Sequence, residues 1–207
     1  MMSASSLFVV TLSYDDLKAF DPSHLDEKLL NLIGQAFGKE GLGILAVRGV
    51  PDFVSKREAL LPLAARLPYL PDLEDCIDEK SLYSIGWSHG KEALSSGQPD
   101  TAKGSFYIHP LVEDIDGENR WPTSLPALKD AACDMSNLLY QIGCQVADVC
   151  DSYCRKHGAE TNIADTLRRS RNSKGRLLHY FAVQETAPAW CAWHNDHVRS
   201  QVLSVVG

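Results

Sequence analysis

The sequence predicts an α+β fold, because one long amphipathic helix accompanies several short apolar strands. Apolar residues recur at helical spacing over residues 125–157, and Pro126 falls in the first turn, where proline is tolerated. Short apolar runs at 7–12, 176–182 and 200–206 have the length of strands, and the run at 7–12 is also rich in β-branched residues. Hydrophobic residues make up 44% of the 207 residues, which is enough to build a sizeable core.

The N-terminal part predicts a strand, a helix and a second strand. Residues 7–12 form the first strand, and Ser23 is expected to cap the helix, with Asp26 three residues on in a variant of the capping box. The apolar stripe of this helix ends before Gly38, a common terminator. Residues 41–47, GLGILAV, predict the second strand.

A further helix is predicted at about 51–66, where Pro62 is expected to kink it or end it early. Residues 68–122 are rich in Pro, Gly, Ser and Asp, and they predict long loops with short strands. Thr123 or Ser124 is expected to cap the long helix.

Two aromatic-rich segments lie within the predicted loops, SIGWSHGKE at 84–92 and KGSFYIHP at 103–110. Their side chains His89, Lys103 and Tyr107 are candidates to line the mouth of a substrate site. Scaffolding of the loops is the alternative, and the residues alone leave both interpretations open.

Composition and charge exclude several broad classes of function. The net charge of −7 and the pI of about 5.4 disfavour a nucleic-acid binder or a polybasic membrane binder. The N-terminus has no basic stretch, and its apolar run at 7–12 is too short for a signal-peptide core or a membrane span. We therefore expect a cytoplasmic protein whose six cysteines are reduced, and the sequence has no paired short cysteine spacing typical of zinc.

Between the strands at 176–182 and 200–206 lies a polar cluster that begins with His194 and contains Asp196. On a strand, residues i and i+2 point to the same face, so an imidazole and a carboxylate can meet at one point. These are two of the three ligands of the 2-His-1-carboxylate arrangement that holds non-haem Fe(II). His194 and Asp196 are the predicted metal ligands.

Trp193 precedes this motif, and the strand upstream carries His179-Tyr180-Phe181. With these neighbours the chain resembles the isopenicillin-N-synthase-like, or clavaminate-synthase-like, branch of the Fe(II)/2-oxoglutarate-dependent dioxygenases. That branch has a Tyr-Tyr-Pro or Tyr-Phe-Pro strand, a variable loop and a W-H-x-D-type motif, although Ala182 here replaces the usual proline. The segments GWSHGKE and KGSFY are also similar to segments in a subset of the family.

The resemblance implies an architecture and a division of the chain. An N-terminal region of strands, helices and loops would cover 1–122, and the long packing helix with a linker would cover 123–174. The start of a double-stranded β-helix, or jelly roll, would cover 175–207. In the turn at 48–51, Arg-Gly-Val-Pro stands where the family has a His-Gly-Ile-Pro-like sequence.

The resemblance also implies chemistry. The protein would be an oxidoreductase that uses Fe(II) as cofactor and 2-oxoglutarate as co-substrate to oxidise a small-molecule substrate, with no nucleic acid or membrane as partner. Tyr180, His179 and Trp193 are the implied pocket residues. Phe181 stands where some members have a tyrosine that contacts the co-substrate, so that contact would be lost.

The family's distal His ligand and its Arg-x-Ser pair, which binds 2-oxoglutarate, are expected after Asp196 and do not occur before Gly207. We therefore expect a chain truncated within the jelly roll and inactive by itself, with His179 as the one upstream histidine considered as a substitute ligand. Two alternatives stay open. The chain could be an inactive fragment that acts by protein interaction, or a metallo-hydrolase with an H-x-D-H site at 194–197 that lacks the usual first His.

The cysteine interpretation gives a first test. Thiol titration of the denatured, unreduced protein is expected to find six free thiols, because a reducing compartment leaves them unpaired. Fewer thiols, with intact disulfides detected by mass spectrometry, would reverse the expected compartment.

Overall fold

The computed structural model describes residues 8–92, 97–109 and 118–182. The chain divides into two compact units, one made of Met1–Asp52 and Leu139–Ser170, the other of Phe53–Leu138 and Arg171–Gly207. In chain order the elements are β1 (Val10–Ser13), α1 (Tyr14–Ala19), α2 (Glu27–Phe37), β2 (Leu45–Arg48), α3 (Phe53–Arg66), β3 (Gly86–His89), β4 (Lys103–Ile108), α4 (Ala127–Lys156), α5 (Ile163–Arg169) and β5 (Gly175–Tyr180). The division predicted at 122 and 174 stays a prediction.

In the first unit, β1 and β2 form a parallel pair with Val10 opposite Leu45. Both strands were predicted, but each begins about three or four residues later than expected. For β2 the reason is local, because Gly43 has a φ of +71° and donates its N–H to the carbonyl of Ala36 at 2.9 Å. The residues before β2 therefore close the end of α2 and are not free to extend the strand.

The predicted cap of α2 is wrong. The helix begins at Glu27, and the carboxylate of Asp26 accepts the N–H of Leu29 at 3.1 Å, so Asp26 is the N-cap. Ser23 is occupied in its own turn, where its N–H and hydroxyl both donate to Asp21. Short polar side chains such as those of Asp and Ser form local hydrogen bonds with nearby backbone groups, and here these bonds form a turn before the helix.

The helix α1 was not predicted, and α3 begins later than predicted. α1 has six residues and buries Leu17, which is too short a stretch for apolar periodicity to show. α3 begins at Phe53 because Asp52 has a φ of +57°, outside the helical region. Pro62 lies inside α3 and does not end it early, since the helix continues to Arg66.

The long helix is confirmed as α4, which has 30 residues. Its apolar stripe is buried, for example at Leu128 and Met135 in the second unit and at Val149 in the first. Thr123 and Ser124, the predicted caps, lie before the first helical residue and bind Asp72 instead. The Thr123 hydroxyl donates to that carboxylate at 2.8 Å and the Ser124 N–H at 2.9 Å.

The second unit contains a three-stranded antiparallel sheet in the order β3–β4–β5. β5 confirms the strand predicted at 176–182. The two aromatic-rich segments, in a region predicted as long loops with short strands, supply β3 and β4. The three segments that carried the family resemblance in this region are therefore neighbours in one sheet. The described strands form two small sheets, and a complete jelly roll is not among them.

Five of the six cysteines lie in the described ranges, and their thiols are not in disulfides, as predicted; Cys191 lies outside those ranges. Burial raises the pKa of the Cys76 thiol to about 11 and that of the Cys150 thiol to about 12, so both are poor nucleophiles at neutral pH. Within the described residues, every helix is too short or too polar to cross a membrane.

A buried carboxylate holds the start of α5. Asp151 is 7% exposed and accepts the hydroxyl of Thr161 at 2.5 Å and the N–H groups of Ile163 at 2.9 Å and Ala164 at 3.0 Å. Burial by itself would raise the pKa of Asp151, but these hydrogen bonds outweigh burial and hold the pKa below its ordinary value.

We predict that Asp151→Ala lowers the free energy of unfolding by about 1–3 kcal/mol at neutral pH, because two helix N–H groups lose their acceptor. A carboxylate with a lowered folded pKa contributes stability that is present above its unfolded pKa, about 3.9, and is lost as the pH falls through the folded value. The difference between wild type and variant should therefore shrink below about pH 4 in urea unfolding measurements.

The control is Asp165→Ala on the same helix, which removes an exposed pair with Arg169. It is expected to cost less than about 0.5 kcal/mol. Equal losses for the two variants would show that Asp151 does not hold α5.

Candidate functional site

The register of the sheet brings two histidines to one face. His89 of β3 lies opposite Gly104 of β4, and Gly104 lies opposite His179 of β5. Residues paired across neighbouring strands point to the same face, so the two imidazoles flank Gly104 on that face.

Three aromatic rings join these histidines. Phe181 lies between them, with its ring centroid 4.9 Å from that of His89 and 4.8 Å from that of His179. The ring of Tyr69 meets His179 edge-on at 5.9 Å, and the ring of Trp87 lies 6.0 Å from His89. We call these five residues the ring cluster. Their separations are those of favourable aromatic pairs.

Exposure varies across the ring cluster. Trp87 is buried, His179 and Phe181 are half-buried, and Tyr69 is 74% exposed. The cluster therefore has a packed base and an accessible side, as a binding surface for an apolar or planar group requires.

Gly104 is required at the centre of this face. A Cβ atom at this position would lie 2.1 Å from Cη2 of Trp87 and 2.7 Å from Cζ2, both far inside van der Waals contact. The indole ring therefore lies directly over the backbone of β4, which only glycine permits.

The hydrogen bond of His89 fixes its tautomer. Its Nε2 atom lies 2.9 Å from the carbonyl oxygen of Thr101. A carbonyl oxygen can only accept, so Nε2 carries the proton and Nδ1 of the neutral ring keeps its lone pair. His89 thus offers a hydrogen-bond acceptor next to Phe181.

Of the residues predicted for the site, two lie on opposite faces of the sheet and three lie outside the described residues. His179 belongs to the ring cluster, whereas Tyr180 is the next residue on β5, lies opposite Lys103 on the other face and is 47% exposed. Trp193, His194 and Asp196 lie outside the described residues. Within residues 8–92, 97–109 and 118–182, no three His, Cys, Asp or Glu side chains come together as a metal site would require.

The three candidates for a substrate mouth are also separated. His89 lies on the face of the ring cluster, while Lys103 and Tyr107 lie on the opposite face with Arg176. Tyr69 is a member of the cluster that the sequence did not indicate. It lies in a short 3-10 turn far from the other rings in sequence, and no local pattern marks it.

A cleft of about 570 Å³ in the first unit carries none of the predicted site residues. Asn31 and Gln35 of α2 and Tyr153 of α4 are among the residues that line it. Its charged residues, Glu40 and Lys156, have opposite signs, so the cleft has no net charge that would select an ion.

No protein-family model and no curated protein matches this chain. A solved structure does match, that of the C-terminally truncated thymine 7-hydroxylase of Neurospora crassa in its apo form, an Fe(II)/2-oxoglutarate dioxygenase. The TM-score is 0.61 at 19% sequence identity, over 89% of this chain and 66% of the truncated hydroxylase chain, so this chain spans just under two thirds of the length of that truncated chain. The likeness supports the dioxygenase-like fold that the family resemblance implied.

The contact between Gly104 and Trp87 gives a test. Gly104→Ala is expected to lower the free energy of unfolding by about 1–3 kcal/mol, because the new methyl group forces the indole ring to move. Near-UV circular dichroism should report the displaced ring, and urea unfolding the loss of stability.

The matched control repeats the alanine substitution in a Trp87→Leu background. The background variant is itself destabilised, but the added cost of Gly104→Ala should be smaller there, which gives a non-additive cycle. The same added cost in both backgrounds would mean that contact with the indole ring is not the reason for glycine.

Proposed function

We propose that this chain is part of a non-haem Fe(II)- and 2-oxoglutarate-dependent oxygenase that oxidises a small-molecule substrate. The observation that carries the proposal is the fold, which is similar to that of a thymine 7-hydroxylase at a TM-score of 0.61. The W-H-x-D motif and the strand that bears His179 add independent support from the sequence.

The metal would be held by His194 and Asp196. Their donor set, a neutral imidazole and a carboxylate two residues apart, fits the non-haem iron arrangement and leaves coordination positions open. When bound, the iron would let O2 act as the oxidant of an unactivated C–H bond, with the 2-oxo acid oxidised and decarboxylated as the source of the other two electrons, and the protein supplies binding, orientation and a dry pocket.

The ring cluster supplies the surface for that pocket. The half-buried ring of Phe181 presents apolar surface that excludes water from a bound group, and the buried indole of Trp87 supports it from below. Nδ1 of His89 can accept a hydrogen bond and so orient a polar edge of the ligand. Phe181 has no hydroxyl group, so it can pack against a ligand but cannot donate to a carboxylate.

Trp193 and Tyr180 remain candidates for the same pocket on the strength of the family resemblance. In the described structure Tyr180 lies on the face opposite the ring cluster. Its contribution would therefore be to a different wall from that of His179.

The proposal is tested by His194→Ala in a form of the protein that carries this chain together with the further strands the family implies. The variant is expected to lose bound iron and 2-oxoglutarate decarboxylation by at least about tenfold, since a direct ligand of the metal is removed. Iron stoichiometry and carbon dioxide release from labelled 2-oxoglutarate measure the two effects.

His197→Ala is the matched control, because on a strand His197 points away from the face shared by His194 and Asp196. It should retain iron. If iron content and turnover are unchanged in His194→Ala, the assignment of the ligands is wrong.

A further inference from the structure

The sheet face opposite the ring cluster carries a group of converging donors. Lys103, Ser105 and Tyr107 are spaced two residues apart on β4 and therefore share this face. Arg176 lies opposite Tyr107 on β5. We call these four residues the donor basket. All of them lie in the second unit.

The carboxylate of Glu92, which follows β3 in the chain, fills the donor basket. Its Oε2 atom lies 2.7 Å from Nζ of Lys103. Its Oε1 atom lies 2.8 Å from Nη2 of Arg176 and accepts the hydroxyl of Tyr107 at 3.2 Å. Both carboxylate oxygens are therefore bound, and three separate side chains donate to them.

Arg176 has anchors that do not involve Glu92. Its guanidinium donates from Nε and Nη2 to the hydroxyl oxygen of Ser105, at 3.1 and 2.8 Å. It also lies 5.0 Å from the ring centroid of Tyr107. These contacts hold the guanidinium over the sheet whether or not a carboxylate is bound.

Lys103 is anchored as well. Its Nζ lies 3.4 Å from the carboxylate of Asp100, which is 3% exposed and accepts the N–H of Ala102 at 3.0 Å. The donors are thus preorganised, and a preorganised site loses little entropy when it binds a ligand.

Charge balance defines the ligand that the donor basket fits. Without Glu92, the cations Lys103 and Arg176 face the single carboxylate of Asp100, and the ammonium of Lys174 lies 6.0 Å from the ring centroid of Tyr107. Positive charge is therefore in excess around the empty donor basket, which favours an anionic ligand. The electrostatics of Glu92 agree with this. Burial alone would raise the pKa of Glu92, but the hydrogen bond from Lys103 and the charge of Arg176 outweigh burial and lower it.

We propose that the donor basket is a binding site for a single carboxylate group, which Glu92 fills from within the chain and which accepts the carboxylate of a free small molecule when Glu92 leaves. The site lies on the face of the sheet away from His89 and His179, so it is distinct from the ring cluster.

Chemical rescue tests the proposal. Glu92→Ala vacates the donor basket, and sodium acetate is then titrated against sodium chloride at equal ionic strength. Acetate is expected to raise the melting temperature of the variant, with an increase that follows the logarithm of the acetate concentration above the dissociation constant, and chloride is not, because only acetate supplies the missing acceptor pair. Calorimetric titration of acetate should give an affinity at least about tenfold tighter for the variant than for wild type, where Glu92 competes at high effective concentration.

Two controls separate the site from general effects of salt. Glu79→Ala removes an exposed glutamate elsewhere in the second unit, and it should respond to acetate as wild type does. Glu92→Ala combined with Arg176→Leu should lose the response, because a principal donor is gone.

If Glu92→Ala does not fold, Glu92→Gln keeps the shape of the side chain and serves for the same titration at higher acetate concentration. The absence of an acetate-specific effect in both variants would overturn the proposal and leave the donor basket a structural ion-pair network. Equal responses to acetate and chloride would also overturn it.

Discussion

The pairing of β4 with a strand on each side determines where the chemistry of the second unit lies. Side chains alternate along β4, so Phe106 and Ile108 enter the core while Lys103 and Tyr107 lie on the other face. A slip of one residue in register would exchange the two faces and bury Lys103 away from its partners Glu92 and Asp100. The cost of burying an unpaired charge therefore specifies the register strongly, and both proposed surfaces follow from it.

On the face that carries the ring cluster, glycine at position 104 destabilises the strand but allows close packing. Glycine weakens a strand interior, but here it lets the indole of Trp87 lie over the backbone and become almost fully buried. Burial of a large aromatic ring stabilises a fold by roughly 1.5–3 kcal/mol, which is enough to offset the glycine. The half-buried rings of His179 and Phe181 continue from that packed base toward the strand ends, where the proposed pocket would be.

On the opposite face, the charges are grouped so that none is buried alone. Asp100 is nearly inaccessible, and its partner Lys103 compensates for the loss of water around it. Glu92 completes the balance with Lys103 and Arg176. The same charge balance that makes this group a stable network makes it a site for a carboxylate, because the donors are held by Ser105 and Asp100 and not by Glu92 alone.

The sequence by itself determined the elements whose signal is local. The 30-residue helix α4 followed from apolar periodicity, and β5 from a short apolar and aromatic run. The absence of disulfides among the five described cysteines followed from cysteine spacing and the expected compartment. The family resemblance rested on short motifs, and it led to a fold that a solved oxygenase structure shares.

Only the tertiary structure decided how these pieces meet. The strands that contain Trp87 and Phe106 lie in a region predicted only as long loops with short strands, because four- and six-residue strands that contain glycine and serine carry little periodicity. Alternation predicts that His179 and Tyr180 face opposite ways, but the register with Gly104 is what places His179, and not Tyr180, among the rings. Strand pairing and register depend on burial summed over the whole sheet. The residues that contribute to this burial are distant in sequence, so no single stretch of sequence predicts the pairing.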